Sequence, residues 1–248
     1  MWNRVEHYVD EIRANRWYAY FAVFCRISLA IAFGISGWVK ISGERFAAGL
    51  PSNHPLGHYF DALLDTGFYY TFIGMGQVMV AILLLIPRSA LLGAIAGFPI
   101  MLNIFVLTYS VRFEGTRTVT FMLLANLFLL VWDFQRIKHI LPFQQTQREL
   151  QANSDKPRAH PFPYVFFTLV VLTLATVIGV NQIMYDIRPG NSAEECMNGC
   201  RDGPTPQASK QFCDCIYTKG KVLGKCLEEF EKAKAIELGA NGRNQLRP

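Results

Sequence analysis

From residue 26 to residue 195 the chain has no cysteine, and its five longest apolar stretches carry almost no charge. Charged residues make up 17% of the 248 positions, against about 25% in ordinary soluble domains. No basic run with interleaved aromatics occurs, so the electrostatic footprint of a nucleic-acid binder is missing. No histidine follows His160, so the cysteines of the tail have no imidazole nearby in sequence to complete a mixed zinc site. There is no C-x-x-C-H for a c-type haem and no C-x-x-C of the usual redox dithiol. The C-x-C at Cys213 and Cys215 stays open as a redox-active pair, beside the plainer reading of structural disulfides.

Hydrophobic residues make up 51% of the chain. They gather into runs at 17–41, 69–87, 89–111, 118–134 and 162–184, which approach or exceed the ~20 residues that cross a bilayer. Their only strong charges are Arg26, Lys40 and Asp133. Five transmembrane helices are therefore predicted. Residues 1–16 are polar and amphipathic and lack the apolar core of a cleavable signal, so the first span is expected to stay as a signal anchor.

Loop charge sets the expected orientation. Arg4, Arg13, Arg16, Arg88, Arg136, Lys138, Arg148, Lys156 and Arg158 flank one side, against Arg45, Arg112 and Arg117 on the other. The basic side is cytoplasmic by the positive-inside rule. The expectation is a bacterial inner-membrane protein with its N-terminus inside and residues 185–248 in the periplasm. An oxidising space explains why five of the six cysteines, Cys196, Cys200, Cys213, Cys215 and Cys226, lie in that tail.

The predicted organisation is a cytoplasmic segment 1–16, a four-helix bundle 17–136, a cytoplasmic linker 137–161, a fifth span 162–184 and a small helical domain 185–248. In the tail, Ser192 with Glu195 forms a capping box and Thr205–Pro206 marks a second helix start. A third helix is expected to close at a Gly-rich end near 239–242. Fewer than ~70 residues bury little core, so disulfides are expected to staple the domain. Cys196 and Cys200 share a helix face. They are expected to pair with Cys213 and Cys215, leaving Cys226 free.

Polar residues within spans are costly and usually paired or functional. Arg26 and Lys40 lie on one stripe of the first span, with Ala30, Phe33 and Gly37 between them. Asn126 and Asp133 share a face of the fourth, and Gln77 and Asn103 lie near the middle of the second and third. All are expected to turn inward, with Arg26 able to reach Asp133. They serve either as interhelical glue or as the lining of a quinone or lipid pocket. The 43–68 loop reads as a cap over the bundle. In it, Pro55 and Gly57 spoil a helical metal site at His54 and His58. Either histidine is placed to meet a ligand head group.

The stretches "RISLAIAFGISGWVKI", "HPLGHYFDALLDTGFYYTFIGMGQVMVAILLLIPR" and "GTRTVTFMLLANLFLLVWD" resemble the DoxX-type membrane proteins over about residues 20–136. The resemblance implies a four-helix membrane bundle. It also implies kinship with subunits of thiosulfate:quinone oxidoreductase and of other membrane oxidoreductase complexes. Members often carry Glu where this chain has Gln77, which weakens a titrating role there. The fold class expected is thus an all-α membrane protein, a DoxX-like bundle plus a fifth span and a disulfide-stapled helical domain. Three functions are carried forward. The first is a non-catalytic accessory, scaffold or assembly subunit whose tail docks another membrane or periplasmic subunit. The second is a redox-linked subunit holding a quinone or bound lipid, and the third is a lipid or small-molecule carrier. No cofactor is required by the sequence, no metal site is predicted, and the expected partners are membrane lipid and protein.

Overall fold

The computed structural model describes residues 15–133, 162–200 and 204–245. Residues 1–14 and the predicted linker lie outside the described residues. Among the described residues the chain is all helical: α1 (Arg16–Ile41), α2 (Pro55–Leu64), α3 (Phe68–Leu85), α4 (Ala90–Ser110), α5 (Thr116–Trp132), α6 (Tyr164–Ile183), α7 (Ala193–Gly199), α8 (Pro206–Tyr217) and α9 (Leu223–Gln245).

α1, α3, α4 and α6 are long and apolar enough to cross a membrane. α5 is also apolar but has 17 residues, the short end of the usual range. Its length is that of the expected run 118–134, but it starts and ends two residues earlier, because Asp133 already serves as its C-cap. Large apolar side chains such as Phe24, Ile35, Trp38, Phe72 and Val165 point outward. An outer surface of this kind belongs in hydrocarbon rather than water.

The bundle core is built on one stripe of α1. Ala22, Cys25, Leu29, Ala30, Phe33, Gly37 and Lys40 are all buried, recurring at the three-and-four spacing of a single helix face. α3 crosses this stripe at Gly37 and Gly74. A Cβ on Gly74 would stand 2.7 Å from the Gly37 carbonyl oxygen and 2.8 Å from Lys40 Cβ, so the two backbones touch. Gly93 similarly brings α4 against the end of α3, where a Cβ would meet the Leu84 nitrogen at 2.8 Å. α6 lies outside the four-helix core and buries only Asn181. It is held to α1 and α5 by aromatic contacts: Trp17 on Phe162 at 4.9 Å, Tyr18 on Phe166 at 4.6 Å and Phe128 beside Phe166 at 6.0 Å. These contacts set the starts of α1 and α6 at the same end of the molecule, and the cysteine-rich tail at the other.

The tail forms the expected small helical domain. Ser192 accepts from the Glu195 N–H at 3.1 Å, while Glu195 reaches back to the Asn191 N–H at 2.9 Å. That is a capping box displaced by one residue. Pro206 opens α8 as N1, although Thr205 makes no side-chain cap bond. α9 does not close at 239–242; it continues to Gln245.

Two disulfides staple the three tail helices, Cys196–Cys213 and Cys215–Cys226. The expected pairing is corrected here. Cys226 is bonded and Cys200 is the free thiol of the tail. The reason is the helix face. Cys213 and Cys215 are two apart on α8, so they point in different directions. Cys213 faces α7, whereas Cys215 faces α9 and finds Cys226. Phe212, Ile216 and Phe230 fill the rest of this core.

Candidate functional site

Polar groups inside the spans fall into separate sets. Toward the end opposite the tail, Arg26 Nη2 lies 3.4 Å from Asp133 Oδ2. Nearer the tail, the Lys40 ammonium donates to the Ser36 hydroxyl at 2.8 Å and to the Ser36 carbonyl at 3.0 Å. The Ser36 hydroxyl passes the chain on to Gln77 Oε1 at 3.2 Å. Lys40 Nζ also stands 4.1 Å over the Phe46 ring, which suits a cation removed from water. Ser36 was not foreseen. Its only signal was a hydroxyl one turn before a charged residue on the same face.

Two expectations need correction. Asn103 faces outward rather than into the bundle. The inner face of α4 is set by Gly93, Gly97 and Met101, and position 103 falls well off that stripe. The buried polar residue of α4 is Thr108 instead. Asn126 does point inward and is fully buried, but among the described residues neither its amide nitrogen nor its oxygen has a hydrogen-bond partner. An unmet buried amide costs about 1–3 kcal/mol. Gln77, Asn103 and His58 therefore do not converge on a common pocket, since Gln77 is engaged by Ser36 and His58 is exposed.

The loop between α1 and α3 is tied down as a lid. Arg45 donates to the carbonyls of Leu50 at 2.6 Å and Gly57 at 3.0 Å, and pairs with Asp61. The Tyr70 hydroxyl clamps both sides of the loop start, donating to the Glu44 carbonyl at 2.8 Å and accepting from the Phe46 N–H at 2.9 Å.

The tail sits on this lid and on the turn between α4 and α5. Asn53 Nδ2 donates to the Tyr217 carbonyl at 2.8 Å, and Arg112 Nη1 to the Ile187 carbonyl at 3.2 Å. Asn191 Nδ2 donates to Glu114 at 3.1 Å, and the Tyr185 hydroxyl to the Tyr109 carbonyl at 3.0 Å. His54 is sealed in the junction with no exposed surface. Its Nδ1 caps α2 by accepting the Leu56 N–H at 3.0 Å, which leaves the proton on Nε2. That atom faces the Gly190 backbone of the tail without closing a well-formed bond. Burial pushes the His54 pKa down to about 4, against a smaller upward pull from Gly190. Burial, and then the Glu195 charge, pushes the Tyr217 phenol up to about 12. Its hydroxyl binds the Pro189 and Gly190 carbonyls at 3.1 and 3.2 Å.

The third feature is a trio of sulfurs. The Cys200 Sγ lies 3.4 Å from Cys213 Sγ of the Cys196–Cys213 disulfide, and its thiol donates to the Cys196 carbonyl at 3.0 Å. Burial raises the Cys200 pKa, which favours the protonated thiol. Among the described residues no cluster of His, Cys, Asp or Glu has the grouping of a metal site.

Fold and site together define a helical membrane bundle whose one end is covered by its own disulfide-stapled domain. The chain belongs to the same family as the uncharacterized protein YwoB of Bacillus subtilis strain 168, with 31% identity over 116 residues. That match spans 45% of this chain and 75% of YwoB. No protein-family model matches the chain. No solved structure matches it either.

Proposed function

We propose that this chain is a non-catalytic accessory or assembly subunit of a larger membrane complex, with its cysteine-rich tail as the docking face. The observation that carries this reading is the junction. Four hydrogen bonds, one to the lid and three to the end of α4 and the α4–α5 turn, and a buried histidine fix the tail on this end of the bundle. A domain held that way presents a set surface rather than a tethered one, which suits a scaffold. The engagement of Arg26 by Asp133, and of Lys40 by Ser36 and Gln77, supports glue as the role of those groups. On this reading the outward face of α9, with Lys225, Glu228, Lys232 and Ile236 exposed, is the surface offered.

The proposed setting is a bacterial inner membrane with the tail in the periplasm, supported by nine flanking basic residues against three and by the two disulfides. A topology reporter joined after Pro248 should be active outside the cytoplasm, and cytoplasmic activity there would overturn this orientation. For the accessory role, the full chain is extracted gently from its native membrane. A second protein in fixed ratio should come with it, and Ile236→Arg should release that protein while both disulfides still form. Recovery of the chain with lipid alone would overturn the role.

One observation favours a second reading, a redox-linked subunit of the kind the DoxX resemblance implies. Deprotonated Cys200 is placed to attack Cys213, forming a Cys200–Cys213 bond and releasing Cys196 as thiolate, with no net oxidation. This reading expects a mixture of the two bonds in the native protein. Peptide mapping that finds only Cys196–Cys213 would count against it.

A further inference from the structure

Between α4, α5 and α6 a cleft of about 190 Å³ opens on the flank of the bundle, walled by Phe105 and Tyr109, Thr116 and Thr120, and Val177 and Val180. The threonines make it look polar, but their hydroxyls are spent on their own backbones. Thr116 donates to the Phe113 carbonyl at 2.6 Å, Thr120 to the Thr116 carbonyl at 2.8 Å, and Thr176 to the Leu172 carbonyl at 2.8 Å. Apart from Asn181, what remains facing the cleft is aliphatic and aromatic surface. From Thr176 to Met184 along α6 and its cap the cleft runs roughly 12 Å. It is a narrow apolar trough lying within the span of the membrane.

The tail-side mouth of this trough is basic. Tyr185 follows Met184 and stands edge-on to Tyr109 at 5.9 Å. The Arg112 and Arg188 guanidiniums lie over the same Tyr185 ring, at 5.1 and 5.4 Å. Neither arginine has a carboxylate within ion-pair distance among the described residues, and Arg188 Nη2 is buried with no hydrogen-bond partner. Arg188 feels the charge of Glu114 more strongly than that of Arg117, although Glu114 is not within ion-pair distance of it. The acidic side chains nearby are Glu114, which accepts from Asn191, and Asp186, which is paired with Lys234 at 2.6 Å. An apolar trough ending at unpaired guanidiniums has the shape and charge of a phospholipid's tail and phosphate.

We propose that this trough and its arginine mouth form a binding site for one anionic phospholipid on the tail side of the membrane. One acyl chain lies between α4, α5 and α6, and the phosphate bridges Arg112 and Arg188. Asn181, one turn deeper than Tyr185, stands at the depth of the ester carbonyl. The lipid would bind beside the junction that holds the tail, because Arg112 also donates to the Ile187 carbonyl. This site is independent of any protein partner of α9.

The test uses the full chain, purified in a neutral detergent, stripped of lipid and offered phosphatidylglycerol or phosphatidylcholine of the same acyl chains. Native mass spectrometry should count one tightly held phosphatidylglycerol. Two arginines at the surface predict a preference over phosphatidylcholine of roughly thirtyfold, from about 1 kcal/mol per arginine. Arg112→Gln with Arg188→Gln should erase the preference, while Arg112→Lys with Arg188→Lys should keep most of it. Should the glutamine pair fail to fold, Val177→Trp carries the test by filling the trough; it should abolish the bound lipid and leave both disulfides intact. Equal binding of the two lipids would overturn the site. So would replacement of phosphatidylglycerol by inorganic phosphate, or lipid retention in Val177→Trp.

Discussion

Gly74 and Gly76 lie two residues apart in α3, and substituting alanine at each should have opposite consequences. A Cβ on Gly76 meets nothing within 4 Å, whereas one on Gly74 meets the Gly37 carbonyl oxygen at 2.7 Å and Lys40 Cβ at 2.8 Å. Ordinary carbon contacts lie near 3.5–4.0 Å, so α1 and α3 must part by roughly 1 Å to admit Gly74→Ala. Neither opposing atom sits at the end of a flexible side chain, so a rotamer change cannot relieve the clash. Overpacking of this kind costs about 1–3 kcal/mol. Both substitutions share the gain in helix propensity, up to about 1 kcal/mol. The difference between the two variants therefore isolates the helix contact, at about 1–3 kcal/mol. Gly76→Ala should be neutral or mildly stabilising. Reversible unfolding in mixed micelles, followed by loss of helicity, measures both. Equal stabilities would mean that α1 and α3 do not cross at Gly37 and Gly74, and the bundle described here would be wrong at its centre.

Other tests address the polar and sulfur groups. Removing Arg26 or Asp133 alone should cost a few kcal/mol, and removing both should cost less than the sum; additive losses in the double-mutant cycle would show that they do not touch. Alkylating the unfolded protein without reductant should label Cys25 and Cys200 and spare the other four. Replacing Cys215 and Cys226 by serine should cost about 3 kcal/mol by the chain-entropy estimate for an 11-residue separation. His54 has its folded pKa near 4, below about 6.5 in the unfolded chain, so the unfolded state binds the extra proton between those values. The stability it contributes is full above pH 6.5 and falls as pH drops toward 4, by at most about 3 kcal/mol. His54→Asn, which keeps an N-cap acceptor, should flatten that part of the pH profile; an unchanged profile would place the histidine in solvent.

The spans and the helical, stapled tail were legible because long uncharged runs, caps and clustered cysteines are local signals. Inward direction was harder to read. Asn126 and Gln77 share their faces with other buried residues, but Asn103 does not. Judging Asn103 required the glycine stripe of α4 as the reference face rather than mid-span position. The disulfide pairing turned on how α8 aims Cys213 and Cys215 at different helices, which spacing alone leaves open. The junction was the least legible. Asn53, His54, Arg112 and Glu114 lie in two loops far in sequence from Ile187, Gly190 and Tyr217, and nothing local announces that they meet. The trough was hidden for a related reason, since threonines that bond their own helix read as polar in a sequence.

The central claim is that the tail is a fixed docking face for another protein. A photo-cross-linking amino acid placed at Ile236 in cells, with a second placed at lipid-facing Leu92 as the comparison, tests it most directly. The account predicts one discrete protein adduct from Ile236 and only lipid adducts from Leu92. No protein adduct from Ile236, with the purified chain alone passing electrons from thiols to an added quinone, would contradict it.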